Sequence, residues 1–432
     1  MIEKVVEGRA YINGTFTECC IGIDEGRIVS IKRELKGEER YRFPRSVIIP
    51  AAIDMHVHFR EPGFPKKEDF FTGTLSAAFG GISCVIDMPN TNPPTLNISS
   101  LLDKIALASR KACIDFGLYG CISNDNINDI ERMNKMVTAF KVFLGESTNS
   151  LVMDMDKIDL LTKLNLSKVI AFHAEDEMCL EKYRFKAGNI KEYASSRPSI
   201  CERKAIERLL ETFSMDKKNI HICHITSSAS LDIMQSKPNN FTVGVTPHHL
   251  LFNVDMEIKP DTYLKVNPPI RGKLDQESLW DGLRIGYIDV IESDHAPHTI
   301  DEKEKEFWEA PSGIPGTETM LPLMLYQFTM RDIPLAKLIN MVCEKPADML
   351  GVPKGKIDVG RDADLVVINL RNVERIKAEK LHSRCGYTPY EGFKAVFPTH
   401  LFVRGEMIID SKEFVGDMGY GEYISRGENL HE

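Results

Sequence analysis

Long apolar runs are missing from this chain of 432 residues. No stretch approaches the roughly 20 consecutive apolar residues that a membrane-spanning helix needs, so we expect no contact with a membrane. The N-terminus lacks the apolar core of a secretory signal, which predicts a cytoplasmic protein. An excess of positive charge is also missing, since the formal net charge is −9, and we therefore expect no nucleic-acid partner.

The cysteine spacing of a metal-binding or redox motif is missing as well. The ten cysteines are scattered and form no Cys-x-x-Cys motif, and in a long cytosolic chain such residues are mostly buried free thiols. What is present is the composition of a folded globular protein, with 43% hydrophobic and 27% charged residues. The length suits one large domain, alone or together with a small one.

Eight short apolar runs, rich in β-branched residues, alternate with segments of helical pattern. In the segment 202–213, for example, apolar residues recur at positions 205, 206, 209 and 210, which is helical spacing. Strands that are apolar at successive positions are typical of a parallel sheet buried on both faces. The sequence therefore predicts an α/β fold, a (β/α)₈ TIM barrel. The predicted strands are 47–57, 83–88, 114–119, 139–144, 169–173, 220–225, 241–245 and 288–293.

The two ends of the chain differ in pattern from its middle. Residues 1–41 are typical of short strands joined by turns, and Asn13-Gly14 is a hairpin signal. The segments 355–369 and 397–419 show the same pattern. We predict that both ends join in one small β-sandwich domain and that the barrel is inserted between them. The predicted boundaries are 1–50 and 351–432 for the small domain and 51–350 for the barrel.

Residues with metal-binding chemistry fall at the carboxyl ends of predicted strands. His56 and His58 close the first strand, and residues two apart on a strand share one face. His173, His224 and Asp294 end the fifth, sixth and eighth strands. A single histidine of this kind could be structural, but these five residues would converge at the mouth where barrel enzymes hold their active sites. The pattern predicts a divalent metal site.

Lys141 lies within the apolar fourth strand, where a charged amine is costly. It could be neutral, it could extend its tip to solvent, or it could react with carbon dioxide to form a carbamate that bridges two metal ions. Its position leaves these alternatives open, and the candidate ligands around it favour the carbamate. Two metal ions would lower the pKa of a shared water and polarise a carbonyl. Asp294 could then carry a proton from that water to a leaving nitrogen, which suits hydrolysis of an amide.

Several motifs resemble those of dihydroorotases within the amidohydrolase superfamily, and together they cover nearly the whole chain. The first is His-Val-His-Phe-Arg-Glu-Pro-Gly from His56, and the second is Met-Pro-Asn-Thr-Asn-Pro-Pro-Thr from Met88. Further motifs begin at positions 267, 293, 316 and 360. The Phe-Arg-Glu-Pro-Gly extension and the Met-Pro-Asn-Thr segment narrow the resemblance from the superfamily to the dihydroorotases.

The resemblance implies two zinc ions per subunit, bridged by a carboxylated Lys141. Cobalt or manganese would suit the same ligand types. Other members of the family use an aspartate in an Asp-Asp-Gly loop instead of the lysine, and no such loop follows Lys141 here. The implied ligands are His56, His58 and Asp294 for the more buried ion, and His173 and His224 for the second.

The substrate implied by the resemblance, dihydroorotate, carries one carboxylate and needs a matching cation. Arg60 lies two residues beyond the second histidine, on the same face if the strand continues, and its planar guanidinium can bind a carboxylate through two hydrogen bonds. The resemblance assigns this role to Arg60, with Asn90 and His298 as helpers and Asn267 beside the ring. Asn90 and Asn267 could instead be turn residues, and Arg60 could pair with a surface acid.

The resemblance implies the activity of a dihydroorotase, the interconversion of N-carbamoyl-L-aspartate and L-dihydroorotate in pyrimidine biosynthesis. In the implied mechanism a metal-bridged hydroxide attacks the cyclic amide, and Asp294 shuttles the proton. The nearest alternative is a hydantoinase or allantoinase, which would share the metal ligands but need not have an arginine such as Arg60. A non-catalytic scaffold is the distant alternative, and the retained ligands argue against it.

Two expectations concern the surroundings of the site. A homodimer is the default assembly for such an enzyme, with the small-molecule substrate as its other partner. The long polar segment 299–316 follows the eighth strand, and a loop of this length is typical either of an active-site lid or of a passive surface connection.

Overall fold

Strands and helices alternate through the middle of the chain, whereas strands dominate both ends. The computed structural model describes residues 2–146 and 151–425, and no helix within those ranges is long and apolar enough to cross a membrane. The strands are β1 (Ile2–Ile12), β2 (Thr15–Asp24), β3 (Arg27–Lys32), β4 (Gly37–Pro50), β5 (Ala52–Val57), β6 (Ile82–Asp87), β7 (Asp115–Ile122), β8 (Ala139–Phe143), β9 (Ile170–His173), β10 (Ile220–Ile222), β11 (Phe241–Val245), β12 (Val290–Ile291), β13 (Leu365–Ile368), β14 (Glu374–Arg375), β15 (Lys394–Ala395), β16 (His400–Val403), β17 (Glu406–Asp410) and β18 (Glu413–Phe414). The α-helices are α1 (Phe70–Phe79), α2 (Ile98–Ser109), α3 (Ile127–Met133), α4 (Glu177–Tyr183), α5 (Ile190–Ser196), α6 (Ser199–Phe213), α7 (Ser228–Met234), α8 (Pro247–Leu251), α9 (Lys273–Ile285), α10 (Ile300–Lys303), α11 (Thr317–Met330), α12 (Leu335–Ile339) and α13 (Lys345–Leu350).

Strands β5 to β12 form a parallel barrel. Each strand pairs with the next one along the chain. The last seam closes where Val57 bridges His295 and where the amide nitrogen of His58 donates to the carbonyl oxygen of His295 at 2.7 Å. Each of the eight predicted strands overlaps one barrel strand, so the predicted (β/α)₈ TIM barrel is confirmed.

The first predicted strand, 47–57, is two strands that belong to different sheets. Residues 47–50 complete β4 and pair with β13, whereas β5 starts the barrel at Ala52. The prediction of one strand was wrong because residues 47–50 and 52–57 are buried throughout and no polar turn separates them. Ala51 alone stands between the two sheets.

A second eight-stranded sheet joins the two ends of the chain, in the order β18-β17-β16-β13-β4-β1-β2-β3. β1 and β2 form an antiparallel hairpin, and both residues of its Asn13-Gly14 turn have positive φ, 48° and 85°, as a type I′ turn requires. β13 pairs antiparallel with β4, so strands separated by the whole barrel lie side by side. The predicted β domain built from both chain ends is confirmed.

A buried ion cluster ties the C-terminal segment to the barrel. Nζ of Lys354 lies 2.5 Å from Asp115, 3.0 Å from Asp362 and 2.9 Å from Asp364. Asp115 is the first residue of β7, at the end of the barrel opposite to the predicted metal ligands. Arg404 also binds Asp115. Because buried charges are stable only when paired, removal of any one partner should weaken this junction.

Eight of the ten cysteines are buried free thiols, as predicted. The other two, Cys179 of α4 and Cys201 of α6, form a disulfide across 22 residues. Their spacing carries no sequence signal for pairing, because the approach of α4 to α6 depends on how both helices pack on the barrel.

Candidate active site

Nine of the ten predicted site residues line one pocket at the carboxyl ends of the barrel strands. The pocket has a volume of about 360 Å³. The tenth residue, His298, lies behind Arg60, with its Nε2 atom 3.1 Å from Nη2 of the arginine. The nine residues that line the pocket are His56, His58, Arg60, Asn90, Lys141, His173, His224, Asn267 and Asp294.

Two of these residues, besides Arg60, leave their strands in an unusual backbone conformation. His224 follows β10 with φ of 38°, and Asp294 follows β12 with φ of 46°. The left-handed region is unfavourable for residues other than glycine, and such strain is concentrated at functional sites. In both cases the side chain lines the pocket, so the backbone turn brings a candidate ligand to the barrel mouth.

The imidazoles of the pocket are oriented by hydrogen bonds on their outer sides. Nδ1 of His58 donates to Oδ1 of Asn90 at 2.8 Å, and Nε2 of His173 donates to Oε2 of Glu175 at 2.9 Å. The inner nitrogens then carry lone pairs, and Nε2 of His58 faces Oδ1 of Asp294 at 3.2 Å. A lone pair and a carboxylate oxygen repel at this distance unless a cation lies between them. Outer hydrogen bonds of this kind orient metal-binding histidines.

Burial keeps these imidazoles neutral, which is the form that binds a metal. It lowers the pKa of His56 to about 4, and it also lowers the pKa of His58, His173 and His224. Nδ1 of His224 is buried and has no hydrogen-bond partner among the described residues. His56, His224 and Asp294 offer three ligand atoms that lie within 4.8 Å of one another. The side chains present therefore fit a divalent metal ion.

Lys141 is part of the same pocket and is fully buried in β8. Its Nζ donates to Sγ of Cys223 at 3.1 Å and lies 5.3 Å from the ring centre of Phe143. The tip does not reach solvent, so one of the three alternatives drawn from the sequence is excluded. The neutral amine and the carbamate remain, and the negative charge of a carbamate would need bound metal ions to balance it.

Arg60 reaches the pocket through a turn. β5 ends at Val57 and Arg60 has φ of 63°, so the assumption that the strand continues to Arg60 was wrong. Nε of Arg60 donates to the carbonyl oxygen of Pro297 at 3.0 Å, and the neighbouring acid Glu61 binds Lys111 instead, at 2.6 Å. Burial lowers the pKa of Arg60 to about 10, which still leaves it charged at neutral pH. A cation therefore lines the pocket.

A buried carboxylate, Glu292, lies behind the candidate ligands and was not predicted. Its Oε2 atom lies 3.4 Å from Nδ1 of His56, and its Oε1 atom accepts from the amide nitrogen of His224 at 2.7 Å. Burial opposes its ionisation, but His56 and His221 hold the pKa of Glu292 well below the usual range. The sequence could have indicated Glu292, because it lies two residues before Asp294 and could share the same strand face.

Glu175 is a second buried carboxylate that lies behind a candidate metal ligand, on the other side of the pocket. Besides His173 it binds Arg197, whose Nε donates to Oε1 of Glu175 at 3.3 Å. Glu175 lies two residues after His173, so its spacing from a predicted ligand could also have indicated it from the sequence. Arg197 comes from the segment before α6, and nothing in the sequence links it to this site.

Two buried lysines, Lys303 within the segment 299–316 and Lys265 outside it, fix this segment where Ser312 and Gly313 form part of the pocket wall. Nζ of Lys303 donates to the carbonyl oxygens of Pro311 at 3.0 Å and Gly313 at 3.1 Å. Nζ of Lys265 donates to the carbonyl oxygen of Ala310 at 2.7 Å. These bonds hold the segment over the pocket, and the lid expected from its length stays a prediction.

The barrel, the attached β domain and the histidine-rich pocket define a metal-dependent hydrolase of the amidohydrolase type. The model of the amidohydrolase family matches residues 47–408, and the chain belongs to this family. Two curated relatives are named dihydroorotase. The one from Methanosarcina mazei is 37% identical over 98% of both chains. The one from Thermoplasma acidophilum is 36% identical over 96% of this chain and 97% of the relative.

Solved structures show the same architecture over nearly the whole chain. The L-hydantoinase (dihydropyrimidinase) from Arthrobacter aurescens matches with a TM-score of 0.94 and 26% identity, and covers 99% of this chain and 100% of its own. The dihydropyrimidinase from Brevibacillus agri matches with a TM-score of 0.89 and 25% identity over 98% of both chains.

Proposed function

We propose that this chain is a dihydroorotase, which interconverts N-carbamoyl-L-aspartate and L-dihydroorotate in pyrimidine biosynthesis. The observation that carries the proposal is that Arg60 lines the same pocket as the candidate metal ligands. A guanidinium at this position suits a cyclic amide that bears a carboxylate. The relatives named dihydroorotase, at 36% and 37% identity, support the same activity.

The pocket would hold two divalent ions, with zinc as the first candidate. When bound, such ions supply a water of lowered pKa and polarise the amide carbonyl. Lys141, as a carbamate, would join the two halves of the site, and its full burial within the pocket supports this role. The residues that would hold the metal are His56, His58, Lys141, His173, His224 and Asp294.

Asp294 is the proposed proton carrier. Its carboxylate lines the pocket, and burial raises its pKa. An ionised carboxylate at this position can accept a proton from water during ring opening and transfer it to the leaving nitrogen. In ring closure Asp294 accepts the proton from the attacking nitrogen. Ring opening needs the ionised form first, so its rate should fall as the pH drops below the pKa of Asp294.

The carboxylate of the substrate is proposed to bind Arg60. His298 lies behind the guanidinium, and Asn90 and Asn267 line the walls of the pocket. These residues bind and orient the ring, so that its amide carbonyl faces the metal ligands.

A hydantoinase is the second candidate, because the L-hydantoinase structure matches the chain with a TM-score of 0.94. Its identity, 26%, is lower than the 37% of the dihydroorotase from Methanosarcina mazei. A hydantoin ring does not require a carboxylate partner, so a hydantoinase would leave the role of Arg60 unexplained. A non-catalytic scaffold is less favoured, because the proposed ligands converge in one pocket.

The test is an assay of the zinc-loaded protein on L-dihydroorotate, N-carbamoyl-L-aspartate, hydantoin and allantoin. We expect conversion of the first pair only. Arg60→Met should raise KM for dihydroorotate about tenfold to a hundredfold, since it removes a charge-assisted hydrogen bond. Arg208→Met removes a surface ion pair with Asp159 and serves as the matched control. Conversion of hydantoin or allantoin instead would overturn the proposed substrate.

Two expectations from the sequence stay predictions. The chain is proposed to act in the cytoplasm, where its substrate would be made, and cell fractionation tests this. A homodimer is proposed as its assembly, and sedimentation of the purified protein tests that.

A further inference from the structure

Tyr193 of α5 stands between the substrate pocket and a neighbouring cleft. The cleft has a volume of about 1140 Å³, and its lining includes Tyr193, Arg197 and Lys265. Asn267 and Ser312 line both the pocket and the cleft. These two residues therefore form the partition between the two spaces.

The hydroxyl of Tyr193 binds both residues of the partition. It donates to Oδ1 of Asn267 at 2.6 Å, and it lies 3.0 Å from Oγ of Ser312, which can donate to it. A phenolic hydroxyl has one hydrogen to give, and here Asn267 receives it. Because Oδ1 accepts this bond, the two N–H donors on Nδ2 of Asn267 are not used by Tyr193. That arrangement offers donors to a ligand in the pocket.

Tyr193 is itself firmly placed. It is 7% exposed, and the ring of Phe307 packs against its edge with a centroid distance of 5.7 Å. Nζ of Lys265 lies 5.1 Å from the centre of its ring. The same amine donates to the carbonyl oxygen of Ala310, two residues before Ser312. Lys265 thus fixes both the aromatic ring and the segment that meets its hydroxyl.

Further contacts link Ser312 to Arg60, the residue proposed to bind the carboxylate of the substrate. Nε2 of His298 donates to the carbonyl oxygen of Ser312 at 3.0 Å, because its Nδ1 atom faces Nζ of Lys67 at 3.1 Å and serves as acceptor. His298 in turn lies against Arg60. An unbroken chain of contacts therefore runs from Tyr193 to the guanidinium.

We propose that Tyr193 is a positioning residue that sets the orientation of the Asn267 amide toward the bound ring. This inference rests on the proposed function and names a further determinant of substrate binding. Without the hydroxyl, the Asn267 amide faces open space on two sides and can turn its donors toward the cleft. The loss should fall on substrate binding and spare the chemical step, because the contact does not involve Asp294.

The test measures steady-state kinetics of the zinc-loaded protein with L-dihydroorotate. Tyr193→Phe should raise KM about threefold to tenfold, the effect of one hydrogen bond, and change kcat by less than about twofold. Tyr423→Phe is the matched control, because its hydroxyl donates to the carbonyl oxygen of Met136 at 2.7 Å, away from the pocket. This control should leave KM unchanged. In an Asn267→Ala background, Tyr193→Phe should raise KM no further.

The role of Tyr193 would be overturned if Tyr193→Phe left KM unchanged. It would also be overturned if this replacement raised KM as much in the Asn267→Ala background as in the wild type. In either case, conversion of L-dihydroorotate by the wild-type protein would still support the proposed function. A wild-type protein that binds zinc and does not convert L-dihydroorotate would overturn the proposed function, and the role of Tyr193 with it.

Discussion

Oδ1 of Asp294 lies 3.3 Å from Nε2 of His56. Asp294 follows the last strand of the barrel and His56 lies in the first, and the two residues meet where the barrel closes. Asp54 stabilises this seam, since its Oδ1 atom accepts from the amide nitrogens of Ser293 at 3.1 Å and His56 at 3.3 Å. One buried carboxylate therefore fixes the backbone beside the proposed proton carrier and beside a proposed metal ligand.

Asp294→Asn should lower kcat for L-dihydroorotate by about 10²-fold to 10⁴-fold, because an amide cannot carry the proton. The barrel should stay folded, since the replacement keeps the shape of the side chain. Steady-state assays, thermal unfolding and metal content, measured on one preparation, check this. Asp281→Asn on the surface of α9 is the matched control. Turnover at the wild-type level in Asp294→Asn would contradict the proton-carrier role.

Lys141→Ala should lower the metal content of the purified protein and its activity together, because the proposed bridge is removed. A short carboxylic acid such as propionate should restore part of the activity, since the truncated side chain leaves room for a carboxylate in the buried pocket. Elemental analysis and assays with and without propionate measure both effects. Wild-type protein labelled with ¹³C-bicarbonate should show a carbamate signal by NMR. Full metal content in Lys141→Ala would exclude the bridging role.

His249 should make the stability of the protein depend on pH. Burial lowers the pKa of His249 to about 3, whereas an unfolded histidine titrates near 6.5. The unfolded chain therefore binds a proton before the folded one does as the pH falls. The stabilisation is fully present above about pH 6.5 and is lost progressively toward pH 3.

The comparison with His249→Gln isolates this effect. The free energy of unfolding of the wild type, relative to the variant, should fall by about 2 kcal/mol between pH 6.5 and pH 5, at about 1.4 kcal/mol for each pH unit. Urea unfolding of both proteins at the two values measures it. A difference that does not change with pH would show that His249 titrates normally in the folded protein.

The disulfide between Cys179 and Cys201 predicts the number of reactive thiols. Unfolded protein that has not been reduced should react as eight thiols, and reduced protein as ten. The double variant Cys179→Ser/Cys201→Ser should lose about 3 kcal/mol of stability, since the bond closes a loop of about 22 residues. In reducing buffer the difference from the wild type should vanish. Ten reactive thiols without reductant would show that no bond forms.

The barrel was predictable from the sequence because buried parallel strands leave a distinctive mark. Strands such as β6 and β7 are buried at every position, so they appear in the sequence as short runs of mostly apolar residues. The break at Ala51 was not predictable, because the change from one sheet to the other takes place within the core. A run of apolar residues indicates that a strand is buried, but it does not indicate which sheet the buried strand joins.

The candidate site was predictable where its residues come from strand ends. His56, His173 and His224 could be found because parallel strands end at one mouth of a barrel. Tyr193 and Arg197 could not, because they come from α5 and the segment that follows it. Their contacts with the site depend on how these elements pack, and no local pattern encodes that.

The pairing of β4 with β13 has a consequence for synthesis on the ribosome. β4 is complete before the barrel is translated, whereas β13 leaves the ribosome only after the whole barrel. Throughout that interval one edge of β4 has no partner, and an unpaired edge is an open template for association with other chains. The small sheet must therefore be the last part of the nascent chain to close.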